Sequence, residues 1–283
     1  MSEEKLRFAY FPGCSLESSA REFDESTREI CKALGVELVE IPDWNCCGAT
    51  SAHSLDSTLA LALPARNLRI ADQMGLDMLA PCAACFNREK IAAMRLSEDE
   101  SLRARFLDGK PLSIGVRHLI EVLASPPLLE RIKRSVQKEL GLKVVCYYGC
   151  LLVRPPDVVS FDDVENPEMM DDIVRAIGCE ALDWSFKTDC CGAGLSIART
   201  DLVLKLVARL IEMAHEVGAD CISVACPMCH ANLDGRQKAA VKRFGGQTMP
   251  ILYITELIGA AIGLNPEKWF RRHIIPVRFW EER

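Results

Sequence analysis

Ten of the fourteen cysteines in this 283-residue chain recur as two sets with the same internal order. Each set has a single Cys, then Cys-Cys-Gly-Ala, and then a Cys-x-x-Cys pair. The last two motifs are each repeated 144 residues apart, and both gaps between them contain 34 residues. Thiolates bind soft metals and metal–sulfur clusters and are also redox groups. The sets are Cys14, Cys46, Cys47, Cys82 and Cys85, and Cys150, Cys190, Cys191, Cys226 and Cys229.

Several kinds of chemistry can use thiols at these spacings. Structural disulfides are disfavoured in a reducing compartment, and a thioredoxin-like Cys-x-x-Cys would leave three repeated cysteines of each set without a role. Zinc is a serious alternative, because a Cys-x-x-Cys and two further thiols make a tetrahedral site. Five thiols exceed what one four-coordinate ion needs, and adjacent cysteines poorly suit two corners of one tetrahedron. A multi-iron cluster can bind both adjacent cysteines through different irons. The residues therefore favour an iron–sulfur cluster in at least one half and leave a zinc site in one half open.

Other candidate residues lie near these motifs. Two histidines follow ligand loops closely enough to reach a cluster or donate a proton, and His230, next to Cys229, is a better candidate than His53. A solvent-facing or capped histidine is nevertheless the more common arrangement. The four cysteines outside the repeat are expected to be buried small apolar residues, with approach to a cluster as the alternative for Cys146, on the strand before Cys150: Cys31, Cys146, Cys179 and Cys221.

The elements around the cysteines must bring together residues that lie far apart in sequence. Both halves alternate short apolar segments with longer amphipathic ones, a pattern that predicts parallel strands covered by helices. Every repeated cysteine then lies just past a strand, where parallel sheets gather their ligands. We therefore expect an α/β fold of two pseudo-symmetric βα-repeat half-domains with parallel sheets and with cysteine clusters at the C-terminal strand edges. The predicted strands are 6–11, 36–41, 77–80, 143–148, 180–184 and 221–225, and the predicted helices are 20–34, 57–74, one after the first Cys-x-x-Cys, 167–177, 195–217 and 228–244.

The repeat also divides the chain. An apolar run ending in Gly-Cys opens each half, and an insertion around residues 155–163 lengthens the second. Between the halves, Ser125-Pro126-Pro127 precedes a charged helical stretch, which is typical of a linker. We predict a first cluster-binding domain at 1–123, a linker at 124–142, and a second cluster-binding domain with a C-terminal tail at 143–283. The aromatic residues of the tail favour packing over its own domain, with partner docking as the alternative: Trp269, Phe270, Phe279 and Trp280.

Charge and hydropathy exclude two classes of function. The formal net charge is −6 and no basic run occurs, so nucleic acid is not an expected partner. No apolar segment reaches the ~18 residues that span a bilayer, and the segment 251–264 contains Glu256, so we expect no direct membrane insertion. The N-terminal Met-Ser-Glu-Glu-Lys-Leu-Arg lacks the apolar core of a secretory signal, which favours a cytoplasmic location.

With this arrangement of cysteines, the sequence resembles the family that carries the cysteine-rich CCG domain, and most closely the B-type subunits of heterodisulfide reductases. The resemblance covers nearly the whole chain, and the signature is complete in both halves. It implies that each set binds one noncubane [4Fe-4S] cluster, and all ten repeated cysteines are then cluster ligands. Zinc in one half is the lesser possibility.

The resemblance implies an activity and partners as well. The family's iron–sulfur subunit works with a flavin-containing A-type subunit and a ferredoxin-like C-type subunit, and this sequence has no C-x2-C-x2-C-x3-C run of its own. The implied reaction is reductive cleavage of a disulfide lying between the two clusters, each supplying one electron and capturing one sulfur. The substrate is a small-molecule or protein-bound disulfide, such as that of coenzymes M and B in methanogenesis. The alternatives are a subunit of a sulfur-oxidising or respiratory complex and a non-catalytic electron-transfer subunit of a dehydrogenase.

Overall fold

Strands and helices alternate through both halves of the protein. The computed structural model describes residues 6–49 and 52–278. In chain order, the first half contains β1 (Leu6–Tyr10), α1 (Gly13–Glu17), α2 (Arg21–Ala33), β2 (Val36–Glu40), α3 (Ala52–Leu55), α4 (Ser57–Met74), β3 (Met78–Ala80), α5 (Ala83–Glu98), α6 (Glu100–Phe106), β4 (Val116–His118) and α7 (Leu119–Leu123).

A connecting helix, α8 (Pro126–Ser135), leads to the second half. This half contains β5 (Lys143–Tyr147), α9 (Pro156–Val159), α10 (Met169–Ala176), β6 (Glu180–Ala181), a 3-10 turn (Ala193–Leu195), α11 (Thr200–Glu216), β7 (Cys221–Val224), α12 (Pro227–Phe244), β8 (Ile251–Tyr253), α13 (Ile254–Ala261) and α14 (Glu267–Phe270).

The strands form two parallel sheets with equivalent strand orders, β2-β1-β3-β4 and β6-β5-β7-β8. The first strand of each half lies between the second and the third, so the strand order reverses there. Open α/β sheets bind their ligands at the carboxyl ends of the strands at such a point. The central strands β3 and β7 are fully buried, and β1 and β5 are buried towards their C-terminal ends, as expected where helices cover parallel sheets. The predicted α/β fold with two parallel sheets is confirmed.

Two strands are missing from the sequence prediction. β4 and β8 are three residues long and complete the outer edge of each sheet. Three residues are too few to show a periodic pattern, and β8 continues directly into the apolar α13. The predicted strands and helices are otherwise found close to their expected ranges, and α4 spans 57–74 as predicted.

The two halves are joined by two helix–helix contacts, because each half contributes a C-terminal helix that packs against the other half. α13 of the second half packs against α2 of the first, and α7 of the first half packs against α10 of the second. Within the first contact, Ser26 Oγ and Thr255 Oγ1 share a hydrogen bond of 2.6 Å. Asn87 adds a second link by donating to the Leu151 carbonyl at 3.0 Å. The ends of β4 and β8, which precede α7 and α13, therefore face the boundary between the halves, here called the seam.

The predicted linker and tail both pack against the body of the protein. α8 lies within 124–142 and contacts α7 and α10, and the domain boundaries at 123 and 143 stay a prediction. Trp269 and Phe270 are buried on α14, which packs against α2 of the first half instead of covering only its own half. Phe279 and Trp280 lie outside the described residues. Within the described ranges, every helix is too short or too polar to cross a membrane.

Candidate metal–sulfur site

Each sheet carries its five repeated cysteines beyond the carboxyl ends of three adjacent strands. In the first half, the segments after β1, β2 and β3 carry Cys14, Cys46 with Cys47, and Cys82 with Cys85. In the second half, the segments after β5, β6 and β7 carry Cys150, Cys190 with Cys191, and Cys226 with Cys229. Parallel strands end at one edge, so distant parts of the sequence converge there. The predicted placement of the cysteines is confirmed.

The thiols of the first set form a connected row. Cys14 Sγ lies 3.7 Å from Cys46 Sγ, and Cys47 Sγ lies 3.4 Å from Cys85 Sγ. Cys46 also hydrogen-bonds with Cys47, and Cys82 with Cys85. All five sulfur atoms are therefore linked to one another through successive contacts.

The thiols of the second set make corresponding contacts. Cys150 hydrogen-bonds with Cys190, as Cys14 meets Cys46 in the first half. Cys229 hydrogen-bonds with both Cys191 and Cys226. Cys190 and Cys191 are adjacent in the chain, so these contacts gather the five thiols of the second set.

The two sets meet at the seam. The thiols of Cys82 and Cys226, its equivalent in the other half, lie within hydrogen-bonding reach of each other. Each is the first cysteine of a Cys-x-x-Cys pair, and each is almost fully buried. Eight sulfur atoms from both halves thus form one continuous row: Cys14, Cys46, Cys47, Cys85, Cys82, Cys226, Cys229 and Cys191.

A glycine before the first cysteine of each set makes room for the last thiol. Gly13 and Gly149 have left-handed φ values of 71° and 68°. A Cβ atom at Gly13 would lie 2.8 Å from Cys85 Sγ, and one at Gly149 would lie 3.2 Å from Cys229 Sγ. Only glycine combines this backbone conformation with such a close approach.

Backbone and side-chain amides hold the Cys-Cys segments in place. The N–H groups of Gly48 and Gly192 donate to Cys46 Sγ at 3.4 Å and to Cys190 Sγ at 3.3 Å. Behind the first segment, Asn67 Oδ1 accepts from the backbone N–H of Asn45 at 3.0 Å. In the second half, Asn232 donates to the Cys191 carbonyl at 2.6 Å. The sulfur atoms are therefore presented by an ordered frame.

Crowding divides the thiols into donors and acceptors. Hydrogen bonds with Cys46 and Cys85 lower the pKa of the Cys47 thiol to about 4. A bond donated by Cys150 lowers the pKa of Cys190 to about 6. The pKa values of Cys46 and Cys150 are raised, because each hydrogen-bonds a thiolate as a donor and is partly desolvated. Complete ionisation of either set would bring several like charges together, and a cation is the ordinary means of stabilising them.

Each set extends from a buried base to an open edge. Cys47, Cys82 and Cys226 are no more than 3% exposed, whereas Cys14 and Cys190 are exposed. An incoming small molecule can reach the outer sulfur atoms but not the inner ones.

A cavity of about 190 Å³ beside the first set carries positive charge. His53, Arg88 and Arg95 line it together with apolar side chains. Arg88 is half-buried, and its charge helps to lower the pKa of the Cys47 thiol. The equivalent of Arg88 in the second half is the neutral Asn232.

His230, the predicted proton donor, is buried beside the second set. Its Nε2 shares a hydrogen bond of 3.1 Å with the Ile251 carbonyl, and its ring stacks on Tyr253 with a centroid distance of 4.3 Å. Burial keeps its pKa well below the usual range, so the imidazole is neutral. A catalytic role for His230 stays a prediction. His53 is exposed.

The cysteines outside the repeat are buried, as predicted for small apolar residues: Cys31, Cys146, Cys179 and Cys221. Burial raises the pKa of Cys31 to about 12 and that of Cys221 well above its usual range. These thiols are protonated at neutral pH.

Two residues at the seam are missing from the sequence prediction. His118 ends β4 and Tyr253 ends β8, and both are fully buried. The backbone N–H of each donates to a glutamate three residues later, to Glu121 at 2.6 Å and to Glu256 at 2.9 Å. The paired segments His-Leu-Ile-Glu and Tyr-Ile-Thr-Glu are the signal in the sequence that identifies these positions.

The donor set matches the chemistry of an iron–sulfur cluster. It offers five crowded thiols in each half, and long helices, α5 and α12, begin at the Cys-x-x-Cys pairs with their positive N-terminal ends. Among the residues that the structure describes, no three His, Cys, Asp or Glu side chains are arranged to hold a single metal ion.

Comparison with known proteins agrees with this arrangement. The cysteine-rich domain family CCG matches residues 8–88 and 144–234. The 8-methylmenaquinol:fumarate reductase membrane anchor subunit of Wolinella succinogenes is 33% identical over 94% of this chain and 95% of its own length. The B-type subunit of the ferredoxin:CoB-CoM heterodisulfide reductase of Methanosarcina mazei is 30% identical over 93% of this chain and 91% of its own length.

A solved structure shows the same fold. A hypothetical protein from Helicobacter pylori superimposes with a TM-score of 0.72 at 13% identity, over 97% of this chain and 53% of that longer chain. At this identity the likeness concerns the fold alone. Taken with the matched CCG segments, the two sheets and the two cysteine sets show that the chain belongs to the cysteine-rich CCG domain family, as a duplicated member homologous to the B-type subunits of heterodisulfide reductases.

Proposed function

We propose that the protein is the iron–sulfur catalytic subunit of a heterodisulfide reductase-like complex that reductively cleaves a disulfide. The observation that carries this proposal is the meeting of two five-thiol sets at the Cys82–Cys226 contact. A disulfide has two sulfur atoms and takes two electrons and two protons to give two thiols. Two adjacent one-electron centres match that requirement, with one centre for each sulfur.

All ten repeated cysteines would hold the two proposed noncubane [4Fe-4S] clusters, one set in each half. When bound, the clusters supply single electrons and iron atoms that can take up sulfur. The protein's own residues fix the ligands through the glycine and asparagine contacts and leave the edges at Cys14 and Cys190 open to a substrate. Arg88, near Cys47, partly offsets the negative charge that accumulates in the first set.

The electrons would come from other subunits. The sequence contains no ferredoxin-type cysteine run, and the B-type relatives are subunits of heterodisulfide reductases. A flavin-containing A-type subunit and a ferredoxin-like C-type subunit are the proposed partners. A cytoplasmic location and the domain limits 1–123, 124–142 and 143–283 are proposed with them.

The first test is anaerobic purification, followed by measurement of iron, acid-labile sulfide and zinc per chain. We expect about eight irons with matching sulfide and little zinc. The loaded protein should then release two thiols per disulfide when it receives electrons from a low-potential chemical reductant, above the rate with reductant alone. About four irons and one zinc would contradict the paired-cluster reaction.

A second candidate function is electron transfer within a respiratory reductase. The fumarate reductase subunit from Wolinella succinogenes is slightly more similar to this chain than the Methanosarcina mazei subunit, at 33% against 30% identity. A protein that loads about eight irons, releases no thiol and passes electrons to a flavoprotein reductase would favour this candidate.

A further inference from the structure

The ends of the outer strands, β4 and β8, are equivalent positions at the seam. His118 pairs with Ala80, two residues before Cys82, and Tyr253 pairs with Val224, two residues before Cys226. Each of these two residues therefore lies on a strand adjacent to the strand that leads to the first cysteine of a Cys-x-x-Cys pair. These are the two cysteines whose sulfur atoms join the two sets.

Both side chains have a polar atom that the protein leaves without a partner. His118 and Tyr253 are 0% exposed, and no group in the described ranges hydrogen-bonds with His118 Nε2 or Tyr253 Oη. A buried hydroxyl or imidazole N–H without a partner is costly, and such groups usually have a ligand or function.

The tautomer of His118 makes Nε2 the donor. Its Nδ1 accepts a hydrogen bond from the backbone N–H of Ile120 at 3.2 Å. Burial lowers its pKa to about 4, so the ring is neutral and its one N–H is on Nε2. The backbone carbonyls of Pro81 and Ala225 face this ring as weak acceptors outside normal hydrogen-bond geometry, and the charge of Cys226 also acts on it. The ring is therefore placed between the two Cys-x-x-Cys segments.

The Tyr253 ring is held rigidly. It stacks on Phe23 of the first half at 4.2 Å and on His230 at 4.3 Å, so its two faces are covered. Burial raises the pKa of its hydroxyl, and the charges of Cys226 and Cys82 contribute to that rise. The hydroxyl stays protonated and can donate a hydrogen bond.

We propose that Tyr253 and His118 are positioning residues that donate hydrogen bonds to the sulfur atoms gathered at the Cys82–Cys226 contact and thereby set the reduction potential of the metal–sulfur groups held there. This rests on the proposed binding of clusters by the two cysteine sets. Hydrogen bonds to cluster sulfur stabilise the more negative, reduced form and raise the potential.

The test uses the full chain, purified anaerobically with its metal. Tyr253→Phe removes only the hydroxyl and keeps the stacked ring. We expect unchanged metal content, a midpoint potential shifted to more negative values in an EPR-monitored titration, and several-fold faster release of metal to a chelator. Tyr10→Phe is the matched control, because the buried Tyr10 hydroxyl already donates to Asp24 at 2.7 Å, and it should leave potential and release rate unchanged.

A second pair of variants tests the imidazole. His118→Leu removes the donor and should shift the potential in the same direction, whereas His118→Gln keeps an N–H donor and should restore part of the shift. Equal potentials and release rates in wild type and Tyr253→Phe would overturn the proposal. Release of either iron or zinc to a chelator can be measured. This measurement therefore tests the Tyr253 and His118 donors whichever metal is bound. If the wild-type protein cleaves no disulfide but Tyr253→Phe still shifts the midpoint potential, only the proposed function is contradicted.

Discussion

The two halves of this protein present the same ligand set in different surroundings. The first set is flanked by Arg88, and its aromatic pair at the seam is Phe86 with His118. In the second half the corresponding pair is His230 with Tyr253. The imidazole is therefore on the helix after the Cys-x-x-Cys in the second half and on the outer strand in the first. The duplication kept the cysteines and altered the groups that set charge and hydrogen bonding. If both sets hold the proposed centres, these surroundings would give them unequal reduction potentials.

The second half also contains a buried ion pair where the first has an exposed one. Lys187 Nζ lies 3.1 Å from Asp171 Oδ1, and their side chains are 4% and 2% exposed. The equivalent of Lys187 is Asp43, which pairs with Arg66 at the surface. The Lys187 carbonyl accepts from the N–H groups just before Cys150. The second site therefore depends on a buried ion pair, whereas the equivalent ion pair of the first half is exposed.

The largest expected effect comes from removing one inner ligand of either half. Cys47→Ser and Cys191→Ser should each lose one centre, so iron should fall from about eight to about four per chain. Cys31→Ala, which alters a buried cysteine outside the sets, is the control and should retain all the iron. Iron analysis and EPR check the result. Complete loss of iron in either variant would show that the seam makes the two sites interdependent.

Breaking the buried ion pair should be the next largest effect. Lys187→Met leaves the Asp171 carboxylate buried without its cation, which typically costs about 3–5 kcal/mol. Arg66→Met removes the exposed pair of the first half and should cost about 0–1 kcal/mol. Urea unfolding of both variants measures the difference. Similar losses would contradict the distinction between the two halves.

Protonation of His273 should stabilise the second half at low pH. Its Nε2 lies 2.9 Å from Glu256 Oε1, whereas the equivalent Glu121 has no imidazole partner in the described part of the chain. Burial by itself lowers the pKa of His273, but the charge and hydrogen bond of Glu256, with Asp234 and Glu22, raise it above its usual range.

A histidine whose folded pKa is raised contributes stability below its unfolded pKa of about 6.5, and this is lost as the pH rises through the folded value. His273→Gln should therefore cost about 1–3 kcal/mol at pH 6 and less at pH 9. The measurement is urea unfolding at both pH values, with the exposed His215→Gln as control. An equal loss at both pH values would be evidence against a protonated His273.

The smallest expected effect concerns the glycines that admit the last thiols. Gly13→Ala and Gly149→Ala each place a Cβ in a left-handed conformation, which costs about 1–2 kcal/mol. Gly13→Ala should be the more harmful, because its Cβ would lie 2.8 Å from Cys85 Sγ, against 3.2 Å from Cys229 Sγ at Gly149. Thermal unfolding with iron analysis checks the order. Equal effects would show that the first set can move aside as easily as the second.

The sequence by itself determined the two cysteine sets and the framework that carries them. Repeated spacing identifies ten cysteines without any structure, because a duplicated unit conserves the distances between its functional residues. Strand and helix periodicity extends over enough residues to predict three strands in each half. Since parallel strands end together, the convergence of each set follows from that pattern.

Only the tertiary structure decided how the two sets meet. The Cys82–Cys226 contact joins residues 144 positions apart in different sheets, and local periodicity carries no information about such a pair. β4 and β8 are three residues long, too short for a pattern, yet they place His118 and Tyr253 at the seam. Which half α7 and α13 pack against depends on the packing of complementary apolar faces, and that packing, not any motif, brings the sites of both halves together.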